Sequence, residues 1–314
     1  MSPIMRPTNQ HVTEYVDEGF TVVPGLVDDD TLEGLRGEAA RFANGEYPVA
    51  NPPDLPPDAT EDDALGSILA VHFPHWVSEV CRDAVVHPGM VEAVSMLTGA
   101  HLPHWDGSAK AMQTMLFLKP PGMPGQAWHQ DERFIPTRDR SLMGAWIALD
   151  DADVDNGCLW VLPRSHRPGR LYPTGPHGSD EFDGADEAHG FDGSGEVAVE
   201  VEAGDVVFFN GYLLHRSKAN RSTDRFRRAL VTHYMTAASL LPWNLTGGGV
   251  PEGESAATYD NRIVTLVSGV DPNAEAGYEV LPTTTFLRHR DGFGKATRAE
   301  RATIARGSST DHTT

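Results

Sequence analysis

The N-terminal part of the chain shows hydrophobic positions at the spacing of amphipathic helices. Val12, Tyr15 and Val16 share one face of a predicted helix that Gly19 can end. The apolar run at residues 20–23 follows directly and predicts a short strand. The chain therefore begins with a helix that leads into a strand.

Further helices are predicted before residue 100. Asp30 followed by Glu33 resembles a capping box for a helix with apolar positions across residues 32–42. Five prolines make residues 47–60 a loop, and Pro88 opens a helix to Leu97 that Gly99 ends. This region is expected to flank the main core.

From residue 113 the pattern changes to short apolar or alternating runs bounded by Gly, Pro, Asn or Asp. These runs are QTMLFLK, LMGAWIAL, GCLWVLP, VAVEVEAGDVVFFN and RRALVTHYM. Such a succession is typical of a β-sandwich or barrel. The segment 170–195 is too long for a hairpin, and we expect a flexible insertion or, preferably, an active-site lid. We predict one domain over residues 1–300, with a β core at about 110–240 and a flexible tail at 301–314.

Composition narrows the class of protein. Forty-five acidic against twenty-five basic residues give a net charge of −20, which disfavours nucleic acid and anionic membranes as partners. Cys81 and Cys158 are too few for a disulfide framework, and the sequence has neither a signal-peptide h-region nor a membrane-length apolar run. We expect a cytoplasmic enzyme.

Three residues suggest a metal site. His129 and Asp131 are two apart, so in an extended chain both point to the same side, and His215 follows 84 residues after Asp131 at the end of a predicted strand. Two imidazoles and one carboxylate form the triad of non-haem Fe(II) oxygenases, which leaves coordination positions for co-substrate and O₂. Fe(II) suits this set better than zinc, because the helical ligand spacing common in catalytic zinc sites is absent from the sequence.

The other histidines compete weakly for this role. Four lie in Pro-flanked stretches read as loops, and another follows a turn: His72, His75, His101, His104 and His166. His233 is the best reserve ligand, because it lies on the predicted strand RRALVTHYM.

Use of 2-oxoglutarate requires a cation for its distal carboxylate. Arg227 and Arg228 stand at the start of the strand after His215, and alternation makes them face opposite ways. Only one of them can therefore point into the β core. Ser217 could add a hydroxyl donor.

The stretch from Gln113 to Met235 resembles the phytanoyl-CoA dioxygenase family of Fe(II)/2-oxoglutarate oxygenases. The resemblance rests on MQTMLFLKPPG, WHQD, GAWIALDDADVDNGCLWVLPRSH and H-x-S-x-x-N-x-S followed by FRRAL, in family order. It implies a double-stranded β-helix, the jelly roll of cupin-like proteins, with flanking helices.

The resemblance also implies residue roles. Iron would be bound by His129, Asp131 and His215, and the C5 carboxylate of 2-oxoglutarate by Arg227 with Ser217. The other positions carried over are Met115 and Trp146 in the co-substrate pocket, Gln113 close by, and Asn220 ordering the loop after His215. One extra residue between His215 and the arginine pair, relative to the family spacing, keeps Arg228 as a rival to Arg227.

The implied function is hydroxylation of an unactivated C–H bond of a small molecule, with release of succinate and CO₂ and with Fe(II), 2-oxoglutarate and O₂ required. A role in specialised metabolism, desaturation or ring closure all fit the same chemistry, whereas the carboxylate of Asp131 disfavours a halogenase. The alternatives are a cupin-like metalloenzyme that does not use 2-oxoglutarate and a non-catalytic binding protein on the same fold. Six arginines near the expected mouth could attract an anionic substrate or offset the acidic lid: Arg133, Arg138, Arg140, Arg164, Arg167 and Arg170.

Overall fold

The structure is a computed structural model that describes residues 6–52, 55–56, 58–241, 260, 262–278 and 285–289. The predicted tail at 301–314 lies outside the described residues. Among those that are described, no helix combines the length and apolar character needed to cross a bilayer.

Five α-helices lie in the described part of the first hundred residues. They are α1 (Asn9–Glu18), α2 (Asp29–Ala43), α3 (Glu61–Ser67), α4 (Glu79–Val85) and α5 (Pro88–Leu97). Gly19 ends α1 in the left-handed region at φ 88°, as predicted. The predicted start of α2 is wrong: the side chain of Asp28, not Asp30, caps the helix by accepting from the Thr31 amide at 2.9 Å. The pattern did not reveal α3 and α4.

Fourteen β-strands are present in the described residues. In chain order they are β1 (Phe20–Val23), β2 (Ile68–His72), β3 (Ala109–Phe117), β4 (Gln126–His129), β5 (Met143–Ala148), β6 (Leu159–Val161), β7 (Thr174–Gly175), β8 (Glu187–Ala188), β9 (Val197–Val199), β10 (Val206–Asn210), β11 (His215–Ser217), β12 (Ala229–Thr236), β13 (Thr265–Ser268) and β14 (Phe286–His289). The placement of His72 in a loop was wrong, since it ends β2.

Two antiparallel sheets form the body of the protein. The larger has the order β1-β10-β5-β12-β3-β2-β14, with β13 also paired to β3, and the smaller has the order β4-β11-β6-β9. This is the predicted jelly-roll architecture of mainly β type with flanking helices.

Alternation along the strands divides the apolar residues between two layers. In β12, Leu230 and Tyr234 join the cluster that packs against the helices, whereas Ala229 and Val231 join the cluster between the sheets. The same split occurs in β3, where Leu116 packs toward the helices and Met115 toward the second sheet. The inter-sheet space is therefore reached by every second residue, and it holds the candidate site.

The segment 170–195 packs against β4. It contains the β7–β8 pair, and Gly125 exchanges backbone hydrogen bonds with it by donating to Glu181 and accepting from Asp183. The Phe191 ring meets the Trp128 ring edge-on, with centroids 5.8 Å apart. The segment therefore has a defined path beside the strand that ends at His129.

Candidate metal and co-substrate site

The two sheet positions that hold His129 and His215 are direct neighbours. His129 ends β4, His215 begins β11, and the antiparallel register pairs one with the other. Gln130 is extended (φ −130°, ψ 127°), so Asp131 returns to the same side as His129 before the chain turns into the short 3₁₀ segment Asp131–Arg133. Residues distant in sequence thus meet at one strand end.

The three predicted ligands converge. Nε2 of His129 lies 3.7 Å from Oδ1 of Asp131, and Nε2 of His215 lies 3.6 Å from the same oxygen. One ligand atom from each residue falls within 4.8 Å of the others. Among the described residues, this is the only such group of histidine, cysteine and acidic side chains.

The second nitrogen of each imidazole is already engaged. Nδ1 of His129 donates to the Ala127 carbonyl at 2.8 Å, and Nδ1 of His215 donates to the Leu213 carbonyl at 3.0 Å. These bonds assign the proton to Nδ1 and leave the Nε2 lone pairs directed toward Asp131. The donor set fits an Fe(II) ion bound by two nitrogens and one oxygen.

Burial sets the charge states that metal binding requires. The pKa of His129 is lowered to about 3, mainly by burial and then by His215. Burial raises the pKa of Asp131, but the neighbouring His215 and His233 outweigh it, so that the pKa is lowered overall. The site therefore presents a neutral imidazole at His129 and an ionised carboxylate at neutral pH.

His233, the reserve ligand, takes a different position. Its Nε2 donates to Oδ2 of Asp131 at 3.0 Å, so it touches the carboxylate oxygen that faces away from His129 and His215. The structure does not place it in the ligand group. It instead fixes the orientation of the carboxylate.

The two arginines after His215 have different surroundings. Arg228 forms a bidentate pair with Asp150, with Nε and Nη2 at 2.9 and 2.7 Å from the two carboxylate oxygens. Arg227 is buried, its Nε donates to the Gly157 carbonyl at 3.1 Å, and its guanidinium lies 5.5 Å from the Trp146 ring centroid. Among the described residues no carboxylate pairs with Arg227, whose pKa burial lowers to about 10. Arg227 is thus the arginine available to a buried ligand.

Lys119 is a functional candidate that the sequence did not reveal. It is buried, and its Nζ donates to Ser217 Oγ at 3.0 Å and to the Lys218 carbonyl. Burial, followed by the charge of Arg227, lowers its pKa well below the ordinary value. The KPP motif was visible, but a lysine is ordinarily exposed, and only the tertiary structure shows this one enclosed.

Gly157 permits the approach of these groups. It adopts φ 85°, and a Cβ there would lie 2.6 Å from the Lys218 carbonyl oxygen and 3.0 Å from Lys119 Nζ. A side chain would therefore displace either the backbone or the lysine.

The remaining predicted co-substrate residues lie on the inter-sheet side. Met115 and Trp146 both pair in register with Val231, and all three belong to or pack against the inter-sheet cluster. Gln113 lies two residues before Met115 in β3, and its Oε1 accepts a hydrogen bond from Arg262 at 2.7 Å. Asn220 donates to the Lys119 and Arg225 carbonyls, as expected of a residue that orders this loop.

The arginines expected at the mouth are held mostly by the protein itself. Arg164 and Arg167 pair with Glu18 and Asp17 of α1, so neither offsets an acidic lid. Arg138 donates to the Ala238 carbonyl.

Residues 15–229 match the family model of phytanoyl-CoA dioxygenase (PhyH). The chain is 31% identical to the peroxisomal phytanoyl-CoA dioxygenase of Rattus norvegicus over 240 residues, which cover 70% of this chain and 66%, slightly under two thirds, of the rat protein. It is 37% identical to the phytanoyl-CoA dioxygenase of Arabidopsis thaliana over 125 residues, 39% of this chain and 43% of that protein.

Solved structures share the fold. The epimerase SnoN in complex with Fe³⁺, α-ketoglutarate and nogalamycin RO aligns with a TM-score of 0.57 at 22% identity, covering 83% of this chain and 95% of SnoN. EvdO2 from Micromonospora carbonacea complexed with 2-oxoglutarate aligns with a TM-score of 0.57 at 22% identity, covering 81% of this chain and 98% of EvdO2.

Proposed function

The chain belongs to the phytanoyl-CoA dioxygenase family, and from that premise we propose that it is an Fe(II)- and 2-oxoglutarate-dependent oxygenase that hydroxylates an unactivated C–H bond of a small molecule. The observation that carries the proposal is the convergence of His129, Asp131 and His215 on one point, in a fold that also buries Arg227 without a carboxylate partner among the described residues. A metal site and a buried cation match the two needs of such an enzyme.

His129, Asp131 and His215 would hold the metal. Hydrogen bonds from Nδ1 to backbone carbonyls orient both imidazoles, and the hydrogen bond from His233 orients the carboxylate. When bound, Fe(II) supplies the O₂ activation that couples substrate oxidation to decarboxylation of 2-oxoglutarate into succinate and CO₂.

Arg227 would bind the C5 carboxylate of 2-oxoglutarate together with Ser217. Ser217 Oγ accepts from Lys119 Nζ at 3.0 Å and from the Gln126 amide at 3.3 Å, so both of its lone pairs are used and its single proton remains to be donated. A carboxylate is the partner that uses that proton and the guanidinium together. Lys119 acts here as a positioning residue for Ser217.

Trp146 and Met115 would line the co-substrate pocket between the metal and Arg227. Their position in the inter-sheet cluster supports this role, because an apolar wall excludes water and strengthens the charge interaction at Arg227. Gln113 would contribute its amide N–H₂, since its carbonyl is already engaged by Arg262.

The test is succinate formation. Purified protein incubated with Fe(II), 2-oxoglutarate and O₂ should release succinate, slowly without a primary substrate and faster with one, and Asp131→Ala should not. A cupin-like metalloenzyme that does not use 2-oxoglutarate would bind metal yet release no succinate. A non-catalytic binding protein would bind 2-oxoglutarate without consuming it, and either result contradicts the proposal.

We further propose a cytoplasmic location and a role in specialised metabolism. Two free, buried cysteines, Cys81 and Cys158, support a reducing compartment. Specialised metabolism is supported by fold neighbours such as the carbocyclase SnoK from nogalamycin biosynthesis, which aligns with a TM-score of 0.58. Fractionation of the native host and metabolite profiling of a deletion strain test the two proposals.

A further inference from the structure

A second arginine is buried and has no acidic partner among the residues that the structure describes. Arg262 is only 8% exposed, and its Nη1 donates to Gln113 Oε1 at 2.7 Å. Among the residues that the structure describes, this is its one hydrogen bond, and no carboxylate pairs with it. Burial lowers its pKa to about 10. A guanidinium has five N–H donors, and a single neutral amide leaves most of them unused.

The register of the sheet places Arg262 relative to the triad. Gln113 on β3 pairs with His233 on β12, and His233 donates to Asp131 Oδ2. Arg262 therefore contacts the strand neighbour of the histidine that holds the metal-binding carboxylate. Arg227 lies just before Ala229, the first residue of β12. Ala229 and His233 are about 13 Å apart along that strand at the usual rise of an extended chain. The two buried arginines thus serve different parts of the inter-sheet space.

The Phe73 ring lies near Arg262, in a group of stacked aromatic rings. Its guanidinium lies 5.9 Å from the Phe73 ring centroid, and the neighbouring His72 stacks on Phe286 with centroids 4.3 Å apart. Nε2 of His72 is buried and has no hydrogen-bond partner among the described residues. This wall offers apolar contact area and unused hydrogen-bonding groups, as a small-molecule site does.

The charge balance favours a monoanion. The other nearby arginine, Arg288, is paired with Asp183, and burial, followed by the charge of Arg288, lowers the pKa of His72 to about 3, which keeps it neutral. Arg262 is then the one uncompensated positive charge in this part of the described structure. A carboxylate carries one negative charge and matches a guanidinium in planar, bidentate geometry, whereas a phosphate dianion would require a second cation.

We propose that Arg262 binds a carboxylate of the primary substrate, so that this enzyme oxidises a carboxylate-bearing small molecule. The proposal rests on the proposed function, in which Arg227 is occupied by 2-oxoglutarate. Arg262 fixes the carbonyl of Gln113, and the N–H₂ group of Gln113 is left for the co-substrate or the substrate. The C–H bond that is oxidised would then lie between the carboxylate and the metal.

Binding of matched probes tests the proposal. Protein loaded with Fe(II) and 2-oxoglutarate in the absence of O₂ is titrated calorimetrically with acetate, hexanoate and phenylacetate, with their primary amides, and with phenyl phosphate. At least one acid should bind the wild-type protein about tenfold or more tightly than its amide, because the amide leaves the buried charge unpaired. Arg262→Met should remove this preference, Arg262→Lys should keep part of it, and the exposed control Arg6→Met should leave it unchanged.

Three results would overturn the proposal: no acid binds better than its amide, the preference survives in Arg262→Met, or phenyl phosphate binds most tightly. If Arg262 only orients Gln113, Arg262→Met would weaken 2-oxoglutarate binding and leave the acid-to-amide ratio unchanged, which also contradicts it. Failure of the proposed function is separate, because the wild-type protein would then release no succinate, whatever its preference among the probes.

Discussion

Replacement of Arg227 by methionine is the sharpest test of the co-substrate site. Arg227 is 3% exposed and, among the described residues, makes one hydrogen bond, to the Gly157 carbonyl. A bidentate contact to the C5 carboxylate would lose two charge-assisted bonds at about 1.5–3 kcal/mol each, or roughly 3–6 kcal/mol in total. At about 1.4 kcal/mol per factor of ten, 2-oxoglutarate binding should weaken by roughly a hundredfold to twenty-thousandfold.

The same substitution should not destabilise the protein free of metal and co-substrate. A buried guanidinium without an acidic partner is costly to desolvate, and methionine fills a similar volume without charge. The free energy of unfolding should therefore stay equal or rise in Arg227→Met. Loss of binding without loss of stability is the signature of a residue kept for its ligand.

Calorimetric titration of 2-oxoglutarate into Fe(II)-loaded protein without O₂ measures the affinity, and urea unfolding of the metal-free protein measures stability. Arg228→Met is the matched control, because Arg228 is paired with Asp150 and should affect stability more than binding. Unchanged affinity in Arg227→Met would refute the reasoning, as would an equal loss in both variants.

Three further predictions follow from single side chains. His215→Ala should abolish iron retention after gel filtration and succinate formation together, and an iron-replete, active variant would disprove the triad. Lys119→Met should raise the KM for 2-oxoglutarate about tenfold with a smaller effect on kcat, and it should not be additive with Ser217→Ala, since the two side chains act as one unit. Burial lowers the pKa of His75 from 6.5 to about 4, so the unfolded chain takes up a proton first as the pH falls, and stability is lost between these values. Between pH 7 and pH 4, the free energy of unfolding of His75→Gln should fall by about 3 kcal/mol less than that of the wild-type protein. An unchanged dependence of the unfolding free energy on pH would contradict this account.

The fold class and the metal triad were available from the sequence because their signals are local. His129 and Asp131 are two residues apart on an extended segment, and short apolar runs bounded by turn residues indicate antiparallel strands. The assignment of His215 to the same site depended on the order of several motifs, because spacing alone does not show which distant strand lies beside another. The register between β4 and β11 provides that contact.

Only the tertiary structure shows which of Arg227 and Arg228 is buried, because alternation fixes that they face opposite ways but not which face is inside. Asp150, after β5, pairs with Arg228 and leaves Arg227 in the core. The burial of Lys119 and Arg262 could not be predicted for a related reason. Lysine and arginine side chains are expected at the surface, and only the tertiary packing decides whether distant strands enclose them. The sequence by itself determined which residues could bind iron, and the fold decided which charges are buried beside them.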